Sequence, residues 1–77
     1  MNYDLAMMAL DGLTRAPLTL RVEGKRVTIS GEAASFKELA RLCLLLGGAG
    51  GGEESFELQP SVHVGKDSMG LKLELSP

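Results

Sequence analysis

The chain has 77 residues, 44% of them hydrophobic and 23% charged, which is the size and composition of one small folded domain. Its ten acidic and eight basic residues leave a net charge of -2 and are spread along the chain, so no basic patch is available to bind nucleic acid directly. No run approaches the roughly 20 apolar residues of a membrane span, and we expect no membrane contact.

The N-terminal residues and the cysteine content predict a cytoplasmic location. The start of the chain carries an acid, Asp4, and lacks the positive charge with which a signal peptide begins. The one cysteine, Cys43, cannot form an internal disulfide, and a chain without a disulfide framework is typical of the cytosol.

The first predicted element is a short helix over residues 2–11, which Gly12 is predicted to end. Its apolar residues recur at the spacing of one helical face, and further apolar residues widen that face. They are Tyr3, Ala6, Met7 and Leu10, with Leu5, Met8 and Ala9 beside them. A helix this apolar needs a cover, which is either the rest of the domain or a partner protein.

A β-hairpin is predicted over residues 18–30, where the period of the pattern changes from 3.6 to 2. Between its two strands lies a short turn that contains Gly24, and such turns are typical of hairpins. The apolar side chains predicted to face the core are Leu18, Leu20, Val22, Val27 and Ile29.

A second helix is predicted over residues 35–46. The run from Ser35 to Glu38 has the form of a capping box, in which the Ser35 hydroxyl accepts a hydrogen bond from a backbone amide and the Glu38 side chain reaches back. Cys43 falls on the predicted core face and is interpreted as a packing residue, not as a nucleophile. That face consists of Phe36, Leu39, Ala40, Cys43 and Leu46.

The next segment, residues 47–54, is predicted to be a flexible Gly-rich loop. It does not fit a phosphate-binding loop, because it follows a helix and is succeeded by the acids Glu53 and Glu54. Together with Glu57, these acids are interpreted as a solvated patch and not as a metal site, since no His or Cys completes them.

A second hairpin is predicted over residues 55–75, with a turn at 65–68. Pro60 falls in phase with the alternation that precedes it, so residues 55–65 form either one long strand, with Pro60 at an edge or a bulge, or two short strands. The positions predicted to face inward are Phe56, Leu58, Val62, Val64, Leu71 and Leu73.

Together these elements predict one α+β domain over residues 1–77. The two hairpins and the central helix follow the order ββαββ, and we expect a four-stranded antiparallel sheet with the central helix packed on one face. The N-terminal helix at 2–11 is an addition to this arrangement. The outer face of the sheet would present Thr19, Arg21, Thr28, Glu57, Gln59, His63, Lys72 and Glu74.

Four features follow one another between about Leu18 and Leu75. They are a strand pair that ends at Ser30-Gly31, the amphipathic helix Ser35-Phe36-Lys37-Glu38-Leu39-Ala40-Arg41-Leu42, a Gly-rich loop before Phe56-Glu57-Leu58-Gln59-Pro60, and the closing strand Ser68-Met69-Gly70-Leu71-Lys72-Leu73. In this order and pattern the chain resembles the immunity protein 32 family, small bacterial proteins thought to neutralise polymorphic toxins. The resemblance implies a protein that binds and masks a toxin.

The resulting interpretation is a non-enzymatic protein-binding inhibitor, without cofactor or metal. His63, the only histidine, is interpreted as a surface residue, because no acidic neighbour can be identified to make it a catalytic base. Small inhibitors bind through apolar or aromatic anchors within a charged rim. The predicted partner-binding residues are Tyr3, Met7, Arg21, Glu57, His63, Lys72 and Glu74.

Two alternatives stay open. A phage-encoded anti-defence protein, such as an anti-CRISPR inhibitor that binds a nucleoprotein effector, would also be small and without catalytic groups. A net charge of -2 argues against mimicry of DNA as its mechanism. A structural assembly protein would instead form a homodimer that buries the methionine-rich helix or an exposed strand edge.

Overall fold

The computed structural model describes residues 3–48 and 55–75, and over these residues the chain forms two helices and two antiparallel strand pairs. The elements follow one another as α1 (Tyr3–Arg15), β1 (Thr19–Glu23), β2 (Arg26–Ser30), α2 (Ala33–Gly47), β3 (Ser55–Leu58) and β4 (Leu71–Glu74). The class is therefore a small α+β domain, as the sequence predicts.

The predicted four-stranded ββαββ sheet is wrong. β1 pairs with β2, and β3 pairs with β4, but the two pairs remain separate two-stranded sheets. In the first pair Leu20 lies opposite Ile29 and Val22 opposite Val27. In the second pair the register runs from Ser55↔Glu74 to Leu58↔Leu71.

The loop between β3 and β4 keeps the two pairs apart by covering the free edge of β1. The Leu18 amide donates a hydrogen bond to the His63 carbonyl at 3.1 Å, and the Leu18 carbonyl accepts one from the Gly65 amide at 2.8 Å. Two residues further along, the Leu20 amide donates to the buried Ser68 hydroxyl at 3.0 Å. The edge that a third strand would need is thus already hydrogen-bonded to a loop.

Residues 55–65 form a short strand followed by a turn, which differs from both predicted alternatives. After β3 ends at Leu58, the backbone reverses around Gln59. Ser61 adopts a left-handed φ of 66°, which a strand residue does not. The Gln59 carbonyl accepts hydrogen bonds from the amides of Val62, His63 and Val64.

The core draws on both helices, the start of β1, β3 and the loop at Val64. Its buried residues are Ala6, Ala9, Leu13, Leu18, Leu20, Leu42, Leu46, Phe56, Leu58 and Val64. Several residues predicted to face inward are instead exposed, namely Val22, Val27, Ile29 and Val62. Because no further strand continues the β1–β2 pair, the half of that hairpin nearest its turn lies outside the core.

Helix α1 is longer than predicted and packs with a different face. It continues through Gly12 to Arg15, which forms an ion pair with Asp11 one turn earlier, and it ends before Pro17, as helices commonly do. Its buried residues are Ala6, Ala9 and Leu13, whereas Tyr3 and Met7 of the predicted face are exposed.

Helix α2 begins at Ala33, so the capping box predicted at Ser35 and Glu38 is wrong. The cap position is Glu32, whose side chain makes no capping hydrogen bond. Ser35 is fully buried, and its hydroxyl donates to the carbonyl of Ala16 at 2.6 Å. This bond ties the first turn of α2 to the residue that follows α1.

The core face of α2 is rotated relative to the prediction. Its buried residues are Ser35, Leu42 and Leu46, while Phe36 and Cys43 are exposed. The helix includes Gly47, and the Gly48 amide donates to the Leu44 carbonyl at 3.0 Å. Of the predicted Gly-rich loop 47–54, residues 49–54 lie outside the described part of the chain.

Candidate functional site

Helices α1 and α2 pack side by side and run in opposite directions. Ser35, in the first turn of α2, is bonded to Ala16 just beyond the end of α1. Glu38 lies one turn further into α2 and contacts Gly12, which lies one turn before the end of α1. A Cβ atom at position 12 would collide with the Glu38 carboxylate. Gly12 therefore leaves room for the Glu38 side chain against α1, rather than ending α1 as predicted.

A groove of about 810 Å³ runs along the outer side of this helix pair. Its lining is mainly apolar, and three of the large apolar side chains are exposed: Leu5, Met8, which is 67% exposed, and Leu44, which is 77% exposed. In α1 the groove residues Leu5, Met8 and Gly12 repeat at the spacing of one helical face. That face adjoins the buried one and shares Ala9 with it, so the apolar surface of α1 extends past the core to the exposed side chains of Leu5 and Met8.

The rim of the groove is predominantly cationic. Arg15, Lys37 and Arg41 line it, together with one carboxylate, that of Glu38. Arg41 forms an ion pair with this Glu38, and Arg15 pairs with Asp11 outside the lining. Lys37 is exposed and forms no ion pair with any residue of the described ranges. Three cations and one anion give the lining a charge of +2, in a chain whose net charge is -2.

Three of the predicted partner-binding residues lie together on the β3–β4 pair. Glu57 is the cross-strand neighbour of Lys72, and the Lys72 Nζ lies 3.0 Å from a carboxylate oxygen of Glu74. The hydrogen bond to Glu74, with the negative charges of Glu74 and Glu57, raises the pKa of Lys72. The lysine therefore stays charged, and the cluster is a compact mixed-charge patch on an exposed face.

The other predicted residues lie elsewhere. Arg21 is on β1, where its Nε is 3.7 Å from the Glu23 carboxylate, and Tyr3 and Met7 are exposed on α1 outside the groove lining. With two separate strand pairs, the five residues predicted on one sheet face, Arg21, Glu57, His63, Lys72 and Glu74, do not share a face, while Tyr3 and Met7 lie on α1 as predicted. Their contact with a partner stays a prediction.

His63 lies in the turn after β3 and not on a strand. Its Nδ1 accepts a hydrogen bond from the Gln59 amide at 3.1 Å, and its carbonyl accepts the bond from Leu18 that holds the loop against β1. Partial burial lowers the pKa of the imidazole below its ordinary value of 6.5. The neutral imidazole thus has a structural part in closing this turn.

We expect acid to destabilise the protein through His63. Because its pKa is lower in the folded chain, the stability it contributes is present above pH 6.5 and is lost as the pH falls through the folded pKa. Asparagine at this position keeps an acceptor for the Gln59 amide but does not titrate. The free energy of unfolding should therefore fall less in His63→Asn than in the wild type between about pH 7.5 and about pH 5.5, on either side of the usual histidine pKa. Urea denaturation of both proteins measures this, and identical pH dependence would refute it.

The titratable groups do not assemble into a metal site in the part of the chain that the structure describes. No group of three or more His, Cys, Asp or Glu side chains is placed to hold a metal ion there. Glu53 and Glu54, which the sequence groups with Glu57, lie outside the described residues. Within the described ranges, no helix is both long enough and apolar enough to cross a membrane.

Comparison of the chain with models of protein families, with curated proteins and with solved structures found no match in any of the three. The resemblance to the immunity protein 32 family therefore stays a prediction.

The sequence does not predict the charged residues at the rim of the groove, but it does indicate the apolar residues that line it. The surplus of apolar residues in α1, and in the last turn of α2 around Leu44, exceeds what one core face uses. Which cations flank that surplus depends on how each helix is rotated about its axis, and the predicted core faces of both helices were wrong. Arg15, Lys37 and Arg41 were therefore not singled out.

Proposed function

We propose that this chain is a non-enzymatic protein-binding module that inhibits a partner protein by covering part of its surface. The observation that carries the proposal is the groove between α1 and α2, with exposed apolar side chains inside a cationic rim. Apolar anchors surrounded by charged groups are the arrangement through which small proteins bind others. A floor that includes Met8 also suits such contacts, since methionine adapts its shape to a partner.

The occupant of the groove is an amphipathic helix of the partner, with acidic residues beside its apolar face. The channel between two antiparallel helices has the form in which a third helix can lay its apolar stripe. The lining charge of +2, to which Lys37 contributes without an ion pair in the described ranges, favours carboxylates at the edges of that stripe. A basic partner helix would meet like charges.

The proposed partner class is a toxin, as the resemblance to immunity proteins implies, and the proposed compartment is the cytosol. The exposed thiol of Cys43 supports this location, because the reducing cytosol keeps such a thiol free. The subunit of a nucleoprotein defence complex is the other partner class, and identification of the captured protein distinguishes the two.

The test is capture of the partner by tagged protein from a lysate of the source, followed by identification by mass spectrometry and measurement of the affinity of the purified pair. We expect Met8→Asp to weaken binding about tenfold or more, because it places a carboxylate on the apolar floor. Met7→Asp is the matched control, since Met7 is 64% exposed on the same helix but does not line the groove. It should change the affinity by about twofold at most, as a substitution outside the contact does.

The charge of the partner is tested by Lys37→Glu, with Lys66→Glu as control, because Lys66 is exposed in a loop away from the groove. The first variant should slow association and weaken its dependence on salt, and the second should leave both nearly unchanged. If Met7→Asp abolished binding while Met8→Asp did not, the groove would be excluded and the predicted set that contains Met7 would be favoured. Circular dichroism of each variant shows that it is folded.

A further inference from the structure

The outer edge of β2 carries backbone groups that have no hydrogen-bond partner within the described residues. Leu18, just before β1, and Leu20 within it direct their backbone bonds away from β2, toward the loop 63–68. Every second residue of a strand points its backbone groups to the same edge. The residues of β2 opposite Leu20 and Val22 therefore form the non-hydrogen-bonded pairs of the hairpin. They are Ile29 and Val27, and their N–H and C=O groups point outward from the hairpin.

The side chains at this edge are apolar and exposed. Val27 is 60% exposed, Ile29 is 36% exposed, and Val22 beside them is 52% exposed. Natural edge strands usually carry a charge on the inward face, a proline or a bulge that prevents further strands from pairing. β2 reads Arg26-Val27-Thr28-Ile29-Ser30, so it has no proline, and its one charge lies at the end next to the turn.

We propose that a second copy of this chain pairs with this edge, antiparallel, about a two-fold axis at Thr28. In that register Val27 lies opposite Ile29 of the second copy, and both members of the pair have outward N–H and C=O groups, so each such pair forms two hydrogen bonds. Thr28 faces Thr28 of the second copy in a non-hydrogen-bonded pair. The dimer contains a continuous sheet in the order β1-β2-β2-β1.

The edge is complementary to itself, which is why the occupant is a second copy. The two outward residues are placed symmetrically about Thr28, so a two-fold axis brings bonding groups against bonding groups and apolar side chains against apolar side chains. Arg26 then lies opposite Ser30 of the second copy, and no like charges meet across the seam. The groove lies on the helix pair and shares no lining residue with this edge.

The test is sedimentation equilibrium of the full chain from low-micromolar to millimolar concentration. We expect a monomer–dimer equilibrium whose dissociation constant rises about tenfold or more in Val27→Lys, because both symmetric copies of an apolar cross-strand pair are lost. Val22→Lys is the matched control, since it adds the same charge to the same hairpin one strand away from the seam. It should change the dissociation constant by no more than about threefold, being outside the cross-strand contact.

A second variant and an NMR measurement also test whether the dimer forms through the β2 edge. Val27→Pro removes an outward N–H that β1 does not use, so the hairpin should persist while the dimer dissociates. In a sample that mixes labelled and unlabelled chains, filtered NMR spectra should contain a contact between the Thr28 Hα atoms of the two copies. A monomer at every concentration, a dimer that Val27→Lys leaves intact, or capture of another protein's strand at this edge would each overturn it. Met8→Asp leaves the dimer unchanged, so failure of the groove proposal is recognised separately.

Discussion

Leu42→Ala should lower the free energy of unfolding by about 2–5 kcal/mol, the range for leucine truncations in packed cores. Leu42 is 0% exposed and lies on the face of α2 that meets the core. The cavity would open within the buried cluster to which both helices, β1 and β3 contribute residues, and in a close-packed core the neighbours of a truncated side chain fill such a cavity only in part. Since a domain of this length has only about 4–12 kcal/mol in total, the loss is a large share of its stability.

The matched control is Leu44→Ala, two residues along the same helix. Leu44 is 77% exposed in the groove, so its truncation should change the free energy of unfolding by no more than about 0.5 kcal/mol. Urea denaturation followed by circular dichroism measures both variants. Equal losses in the two variants would mean that α2 does not pack with its Leu42 face toward the core.

Ser35→Ala should lower the free energy of unfolding by about 1–3 kcal/mol, although it removes a single oxygen atom. The Ser35 hydroxyl is the hydrogen-bond donor to the Ala16 carbonyl, at 2.6 Å, and the serine is fully buried. Alanine leaves that carbonyl without its partner at the junction of α1 and α2, and the loss of a hydrogen bond to a buried group has this magnitude.

Ser55→Ala serves as the control for Ser35→Ala, because Ser55 is exposed at the start of β3. Its replacement should change stability by no more than about 0.5 kcal/mol. Thermal and urea denaturation of both variants should rank them in this order. If Ser35→Ala were as stable as the wild type, water would have to reach the Ala16 carbonyl and replace the hydroxyl there.

The helices and hairpins of this fold can be predicted from the sequence, whereas the way in which they pack and pair with one another cannot. Alternation between Leu18 and Ile29 with a glycine between the strands predicts a hairpin, and the structure has one with Gly24 at a φ of 62°, as a two-residue turn of type II′ requires. Alternation does not identify which edge meets which, however. Val62 and Val64 alternate like strand residues, yet they belong to a loop that is hydrogen-bonded to β1. Because this loop occupies the edge of β1, the two strand pairs do not join into the predicted single sheet.

The predicted core faces of both helices are wrong for a related reason. Both helices are apolar over more than one face, so the spacing of Tyr3, Ala6, Met7 and Leu10 fits a core stripe as well as the true set does. The true set in α1 contains two alanines, Ala6 and Ala9, whose small side chains allow α2 to approach closely. A hydrophobicity pattern weights large side chains and therefore selects the face that is exposed here. The apolar side chains of the groove, Leu5 and Met8, belong to neither set; the excess of apolar residues in α1 could be anticipated, whereas the cations beside the groove could not.

The hydrogen bond from Leu20 to Ser68 joins residues that are 48 positions apart in the chain. The contacts within the β1–β2 hairpin, by contrast, are local in sequence and close early, since short loops form faster than long ones. During synthesis residues 18–30 are made before residues 63–68, so a hairpin that forms early lacks the cover of its β1 edge until this loop has been made. Once the loop is in place it covers the edge of β1, whereas the outward groups of Val27 and Ile29 on β2 keep no hydrogen-bond partner within the described residues.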